Sequence, residues 1–186
     1  MDITRAQEQM RHAYFGGAPG LLVSAIVWAI AAAIVASGSF IHGVWALFVG
    51  GMLIHPLGML VARAAGRPGS AKGNPLDRLA FECTITMLAA LLPAWLMAMT
   101  RQEWFFPTML LIIGGRYVVF ATIYGLRLYW AIGALLIAMG WLAILAHPPV
   151  LAPVVAGAVI EAGFALALFI RMRGAGARQS GGIQTH

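Results

Sequence analysis

Charge is scarce in this chain. Only 10% of its 186 residues are Asp, Glu, Lys or Arg, against about 25% in an ordinary soluble domain. Hydrophobic residues reach 61%, above the usual range of about 45–50%. A water-soluble fold would lack the polar surface to cover such a core. The same balance excludes a disordered chain and a nucleic-acid-binding module, despite a net charge of +6. Cysteine is nearly missing as well. Cys83 stands alone, which excludes an internal disulfide framework, disulfide-shuttling chemistry and any Cys–His cluster at metal spacing. Inside an apolar run, its thiol reads as a small hydrophobe.

Catalytic signatures are missing too. There is no phosphate-cradling loop with a trailing Lys, no His-Glu-x-x-His and no Gly-x-Ser-x-Gly elbow, so ATP-driven transport by this chain alone is excluded. His42 and His147 fall near span ends and leave His55 alone at depth, which speaks against haem. No cofactor and no metal are expected. Asp2–His12 carries mixed charge instead of a basic start running into an apolar core, so the chain is expected to insert whole, without a cleaved signal peptide.

Long apolar runs are what the chain has in quantity. A spanning helix needs roughly 20 mostly apolar residues, and six stretches qualify: 20–38, 41–62, 80–100, 106–125, 128–146 and 153–171. Turn signals separate them: Ser37-Gly38-Ser39, Arg101-Gln102-Glu103 and His147-Pro148-Pro149. Asn74-Pro75-Leu76-Asp77 is a helix start, with Asn as cap, Pro in the first turn and Asp at the positive end of the dipole. Only Gly125-Leu126-Arg127 divides the fourth span from the fifth. One helix of about forty residues would overrun any bilayer, so a turn is expected there. The fold class is therefore all-α, a polytopic six-helix transmembrane bundle with short loops.

Of the twelve Lys and Arg, all but Arg101 and Arg116 fall before the first span, in the second-to-third and fourth-to-fifth connections, or after the sixth span. By the positive-inside rule both termini face the cytoplasm of a bacterial-type inner or plasma membrane. The basic face then invites anionic lipid headgroups and needs no nucleic acid. Residues 1–17 form an N-terminal cytoplasmic segment. Within it, Ile3, Ala6, Met10, Ala13 and Tyr14 share a helical stripe, which suits a helix lying in the membrane interface or a frayed leader. Residues 18–171 form the transmembrane domain. Residues 172–186, rich in Gly, Ser and Gln, are expected to be a disordered basic tail.

Ionisable groups at membrane depth are costly and normally face the bundle interior. Four stand out. At about 1.5 Å rise per residue, His55 lies about 12 Å from the cytoplasmic end of its helix, Arg116 about 16 Å, Glu161 about 15 Å and Glu82 about 10 Å. Arg116 and Glu161 share a level, and an Arg fork suits a carboxylate, so a buried ion pair is expected. Gly114-Gly115 beside Arg116 would permit close helix approach or local unwinding. Tyr117 and Tyr124, seven apart, could extend a polar track or simply pack. His55, ahead of Pro56, could satisfy local backbone, carry a proton or line a pore. Glu82 has Arg78 one turn earlier, and a surface pair is its simplest role.

Three readings follow. The first is a small transporter or channel for a small ion or anionic solute, with Arg116, Glu161, His55, Glu82 and Tyr117 on the substrate or proton pathway; protonation of Glu161 would release Arg116 to substrate. The second is a structural or assembly subunit in which Arg116–Glu161 is a packing clamp. The third is an intramembrane enzyme acting on a lipid, with His55 and Glu82 as acid and base. Small residues Gly133, Gly140, Gly157 and Gly163 suggest close self-association as a dimer.

Overall fold

A chain crossing hydrocarbon must satisfy its backbone N–H and C=O groups internally, and the long apolar runs do so as six helices. The computed structural model describes residues 2–181, and no strand occurs among them. A short amphipathic helix, α1 (Ile3–Tyr14), comes first. Six long helices follow: α2 (Ala18–Ala36), α3 (Phe40–Ala64), α4 (Pro75–Thr100), α5 (Phe105–Tyr124), α6 (Leu128–Ala146) and α7 (Leu151–Gly181). The turn expected near Arg127 is present: Gly125 ends α5 in the left-handed region at φ 61°. The protein is an all-α integral membrane protein built as a six-helix bundle. Helix α7 runs past the expected end of the sixth span and over the segment expected to be a tail from 172; residues 182–186 of that tail lie outside the described residues.

The helices follow one another around the bundle in the order α3, α2, α7, α6, α5, α4. Helices α3 and α4 are the two edges of this arrangement. They meet at one end of the bundle, where Trp45 and Phe48 of α3 pack on Trp95 of α4 at ring separations of 4.9 and 6.4 Å. This is the end that carries Arg101. The opposite end collects α1, the α3–α4 loop and the α5–α6 turn, and with them Arg5, Arg11, Arg63, Arg67, Lys72, Arg78 and Arg127; it is called the basic end below. Large apolar side chains such as Leu92, Leu145, Val159, Leu166 and Ile170 point outward, as a lipid-facing surface requires.

Close packing inside the bundle uses glycine. A Cβ on Gly114 would lie 2.9 Å from the Gly133 carbonyl oxygen, and one on Gly133 would lie 2.8 Å from that of Gly114. Gly140 approaches the Pro107 carbonyl equally closely, and Gly157 receives the Trp28 ring. Gly133, Gly140 and Gly157, expected as a self-association surface, are therefore consumed within the chain; Gly163 has open space around it. Of the Gly114-Gly115 pair, Gly114 alone serves close approach, Gly115 has open space around it, and neither unwinds the helix, since α5 is continuous across them.

Helix α1 does not offer its apolar face to lipid. Ala6, Met10 and Ala13 are buried in the protein, because α1 docks across the basic end of the bundle. The physical cause is the C-terminus of α5, whose last carbonyls have no helical donors. Gln7 donates to the Thr122 carbonyl at 2.8 Å and Arg11 to that of Tyr124 at 2.6 Å, the second placing a cation at the negative end of the helix dipole. Asn74 fastens the other side. Its Oδ1 accepts from Leu76 N–H and caps α4, while its Nδ2 donates to the Ala6 carbonyl at 2.9 Å. Replacing Asn74 with Ala removes both bonds from a buried position. The expected cost is about 2 kcal/mol, read as a lower thermal midpoint in detergent, together with faster amide exchange in α1.

Candidate functional site

Between α3 and α4, on the basic side of the Trp45–Phe48–Trp95 cluster, the bundle holds a cleft. Its inner chamber has a volume of about 70 Å³, room for about five waters or a solute of a few heavy atoms. Pro19 and Gly20 of α2, Ile54 and Gly58 of α3, and Ala80 and Thr84 of α4 form much of the wall. All four tyrosines of the chain, Tyr14, Tyr117, Tyr124 and Tyr129, line it together with Arg116 and His55. A wider mouth of about 720 Å³ shares Tyr14, His55 and Met59 with the chamber and is bordered by Asn74, Asp77 and Arg78. The cleft therefore opens toward the basic end.

Each aromatic wall residue is held in place. Tyr14 donates to Asp77 at 2.5 Å, tying the end of α1 to the first turn of α4. Tyr124 and Tyr129 stack at 5.3 Å, and Tyr129 donates to the Gly16 carbonyl at 2.7 Å. That bond exists because Gly16 and Gly17, at φ 64° and 85°, turn the chain sharply between α1 and α2. A side chain on Gly17 would strike the Tyr129 hydroxyl.

Arg116 reaches the cleft from the middle of α5. Its guanidinium lies 4.8 Å from the centre of the Phe120 ring, a cation–π contact. It donates to Thr84 Oγ1 at 3.3 Å and lies 3.5 Å from Met87 Sδ, while its buried Nε has no partner. The expected ion pair with Glu161 is not formed. Among the described residues, no carboxylate lies within 4.0 Å of Arg116.

Glu161 is nevertheless in the bundle interior, fully buried on α7. The residue that reaches it is Tyr117, whose hydroxyl donates to Glu161 Oε1 at 3.1 Å. Ser24 and Trp28 of α2 lie against the same carboxyl. Glu161 Oε2 and Trp28 Nε1 are both buried without a hydrogen-bond partner. The depth estimate placed Arg116 and Glu161 at one level, but depth carries no information on rotation about the helix axis. Successive residues of a helix point about 100° apart, and it is Tyr117 that faces α7.

His55 stands exposed at the cleft mouth. Glu82 does not join the cleft. It pairs with Arg78 at 2.8 Å, with both side chains more than half exposed, and borders a separate apolar groove between α4 and α5 that touches Arg116 from the other side. His55 and Glu82 border different cavities, the cleft and the α4–α5 groove. Because the Arg78–Glu82 pair is exposed, Glu82→Gln is expected to shift stability by less than about 1 kcal/mol, a difference of a degree or two in thermal unfolding. Sequence reasoning missed Thr84, Tyr14 and Tyr129 as wall residues. The i,i+4 spacing of Ala80 and Thr84 after the Asn74 cap was the available signal for the first; nothing local marked the other two.

Among the described residues no group of three or more His, Cys, Asp or Glu is placed to hold a metal ion. Comparison with curated proteins and with solved structures finds no match to this chain. A match covering residues 3–171, and so α1, the next five helices and α7 as far as Arg171, places the protein in a family of unknown function, DUF7010.

Proposed function

We propose that the protein is a small membrane transporter for a small anionic solute, with its binding chamber open to the basic, cytoplasmic face. The observation that carries the reading is Arg116, a cation in mid-bundle with no carboxylate beside it, on the wall of a chamber that holds all four tyrosines. An uncompensated charge at that depth costs several kcal/mol. A solute anion would offset that cost, and the five N–H donors of the guanidinium would bind it through charge-assisted bonds. Thr84 and the tyrosine hydroxyls add neutral partners. At the far end the Trp45, Phe48 and Trp95 rings pack across the edge between α3 and α4, which favours solute entry from the basic end. The chamber volume restricts the solute to a few heavy atoms, an inorganic anion or a short monocarboxylate.

The clamp reading loses its central feature, since no Arg116–Glu161 pair is formed. The test is uptake by the purified protein in proteoliposomes, with chloride, nitrate, formate and acetate as probes. Saturable uptake, with the probes competing against one another, is the expected result. If none of them enters faster than into protein-free vesicles, and none raises the thermal midpoint of the purified protein, the reading is wrong.

A further inference from the structure

Glu161 is buried more completely than any other ionisable side chain on a described helix, yet solute binding at Arg116 does not use it. The groups that act on it from the neighbouring helices are Ser24 and Trp28 of α2 and Tyr117 and Arg116 of α5. Among the described residues Tyr117 makes the direct hydrogen bond to Oε1, and Oε2 has no partner of its own. Arg116, the only cation among these groups, lies beyond ion-pair distance. A permanently ionised carboxylate in this setting would keep neither water nor a countercharge.

We propose that Glu161 is a proton-binding site and that Tyr117 is the positioning residue linking it to the solute cleft. The geometry supports both halves. Tyr117 lines the chamber together with Arg116, and its hydroxyl donates to Glu161 Oε1. A proton from a hydronium ion or a carboxylic acid in the chamber passes to Tyr117 Oη as the phenol's own proton passes to Glu161 Oε1. One acid O–H bond breaks, the tyrosine O–H is broken and re-formed, and one carboxyl O–H forms. Solute anion at Arg116 and proton at Glu161 would then occupy two separate sites three helices share, and the pair would cross together without net charge. Glu161 thus does not compete for Arg116, in contrast to a coupling scheme built on a direct Arg116–Glu161 pair.

This inference rests on the transport reading for its meaning but not for its test. Infrared pH-difference spectra of the reconstituted protein, recorded without any solute, report the C=O stretch of a protonated carboxyl directly. The expected result is one such band, titrating reversibly, that is lost in Glu161→Gln. Tyr117→Phe keeps the band, moves its midpoint through loss of the hydrogen bond and slows its appearance after a pH jump, whereas a tyrosine that only packs and hydrogen-bonds would leave the rate unchanged. Thermal unfolding identifies folded variants; should Glu161→Gln fail to fold, specific ¹³C labelling of glutamate carboxyls assigns the band by NMR in the wild-type protein. A band that survives Glu161→Gln, or no titrating buried carboxyl in the wild type, overturns the proposal. In flux assays the same idea expects Glu161→Gln to exchange labelled for unlabelled solute while losing accumulation driven by a proton gradient. Gradient-driven accumulation by that variant overturns it equally. Failure of all flux with a titrating Glu161 band intact would strike the transport reading instead.

Discussion

Arg116→Leu is expected to abolish uptake while leaving the fold in place. In the transport reading the guanidinium is the main partner of the solute anion. Removing one member of a buried, hydrogen-bonded charge pair costs at least about 2 kcal/mol, so affinity should fall by about thirtyfold or more. Stability should respond differently. The guanidinium holds Thr84 at 3.3 Å, a methionine sulphur at 3.5 Å and the Phe120 face, and no carboxylate within ion-pair reach would be orphaned by its loss. The thermal midpoint should then hold or rise, because the loss of these weak contacts is offset by relief of an uncompensated charge. A clamp would behave in the opposite way, because breaking a buried ion pair costs about 3–5 kcal/mol. Arg116→Lys is the informative companion. It keeps the charge but not the planar fork, so partial uptake with weakened affinity is the expected outcome. Isotherms for probe anions and melting curves on the same preparations measure both quantities. Arg116→Leu with undiminished uptake would remove the basis of the proposed function.

Gly133→Val is expected to be the most damaging single substitution in the transmembrane core. A Cβ at Gly133 would stand 2.8 Å from the Gly114 carbonyl oxygen, 2.9 Å from Val118 Cγ2 and 3.1 Å from the Val118 backbone nitrogen. Two of these atoms belong to the backbone of α5 and cannot swing aside, so the two helices must part. Overpacking of this kind costs about 3 kcal/mol, and loss of the Gly114–Gly133 approach also displaces Tyr129 relative to Tyr117 across the cleft. Gly115→Val is the matched control. It lies on α5 beside Gly114 and makes the same Gly-to-Val exchange in a helix, but a Cβ there meets nothing within 4 Å. A large drop in thermal midpoint for Gly133→Val beside a small one for Gly115→Val identifies the helix contact as the cause. Equal drops would mean that backbone propensity, not packing, decides the result.

Helix number and approximate position were legible from hydropathy because each crossing must supply its own backbone bonds over a set thickness of hydrocarbon, whereas the polar extensions of α4 and α7 beyond the apolar runs were not. The Asn74 cap and the turn at Gly125 followed from local chemistry in the same way. So did the exposed Arg78–Glu82 pair, since an i,i+4 contact needs no knowledge of other helices. The candidate site was legible in part: Arg116, Glu161, His55 and Tyr117 were visible as polar groups at depth, and three of them, with Glu161 joined through Tyr117, meet at one cleft.

Partnership was not legible. A one-dimensional reading gives depth along a helix, and Arg116 and Glu161 agree in depth, yet rotation of α5 about its axis is set by how it packs on α6. That packing is decided by Gly114, Gly133 and Gly140, residues whose importance lies in what approaches them. It turned Tyr117 toward Glu161 and left Arg116 to the cleft. The docking of α1 was hidden for a related reason. An amphipathic stripe states that one face avoids water, but lipid and protein satisfy that demand equally, and only the unfilled carbonyls at the end of α5 drew Gln7 and Arg11 onto the bundle.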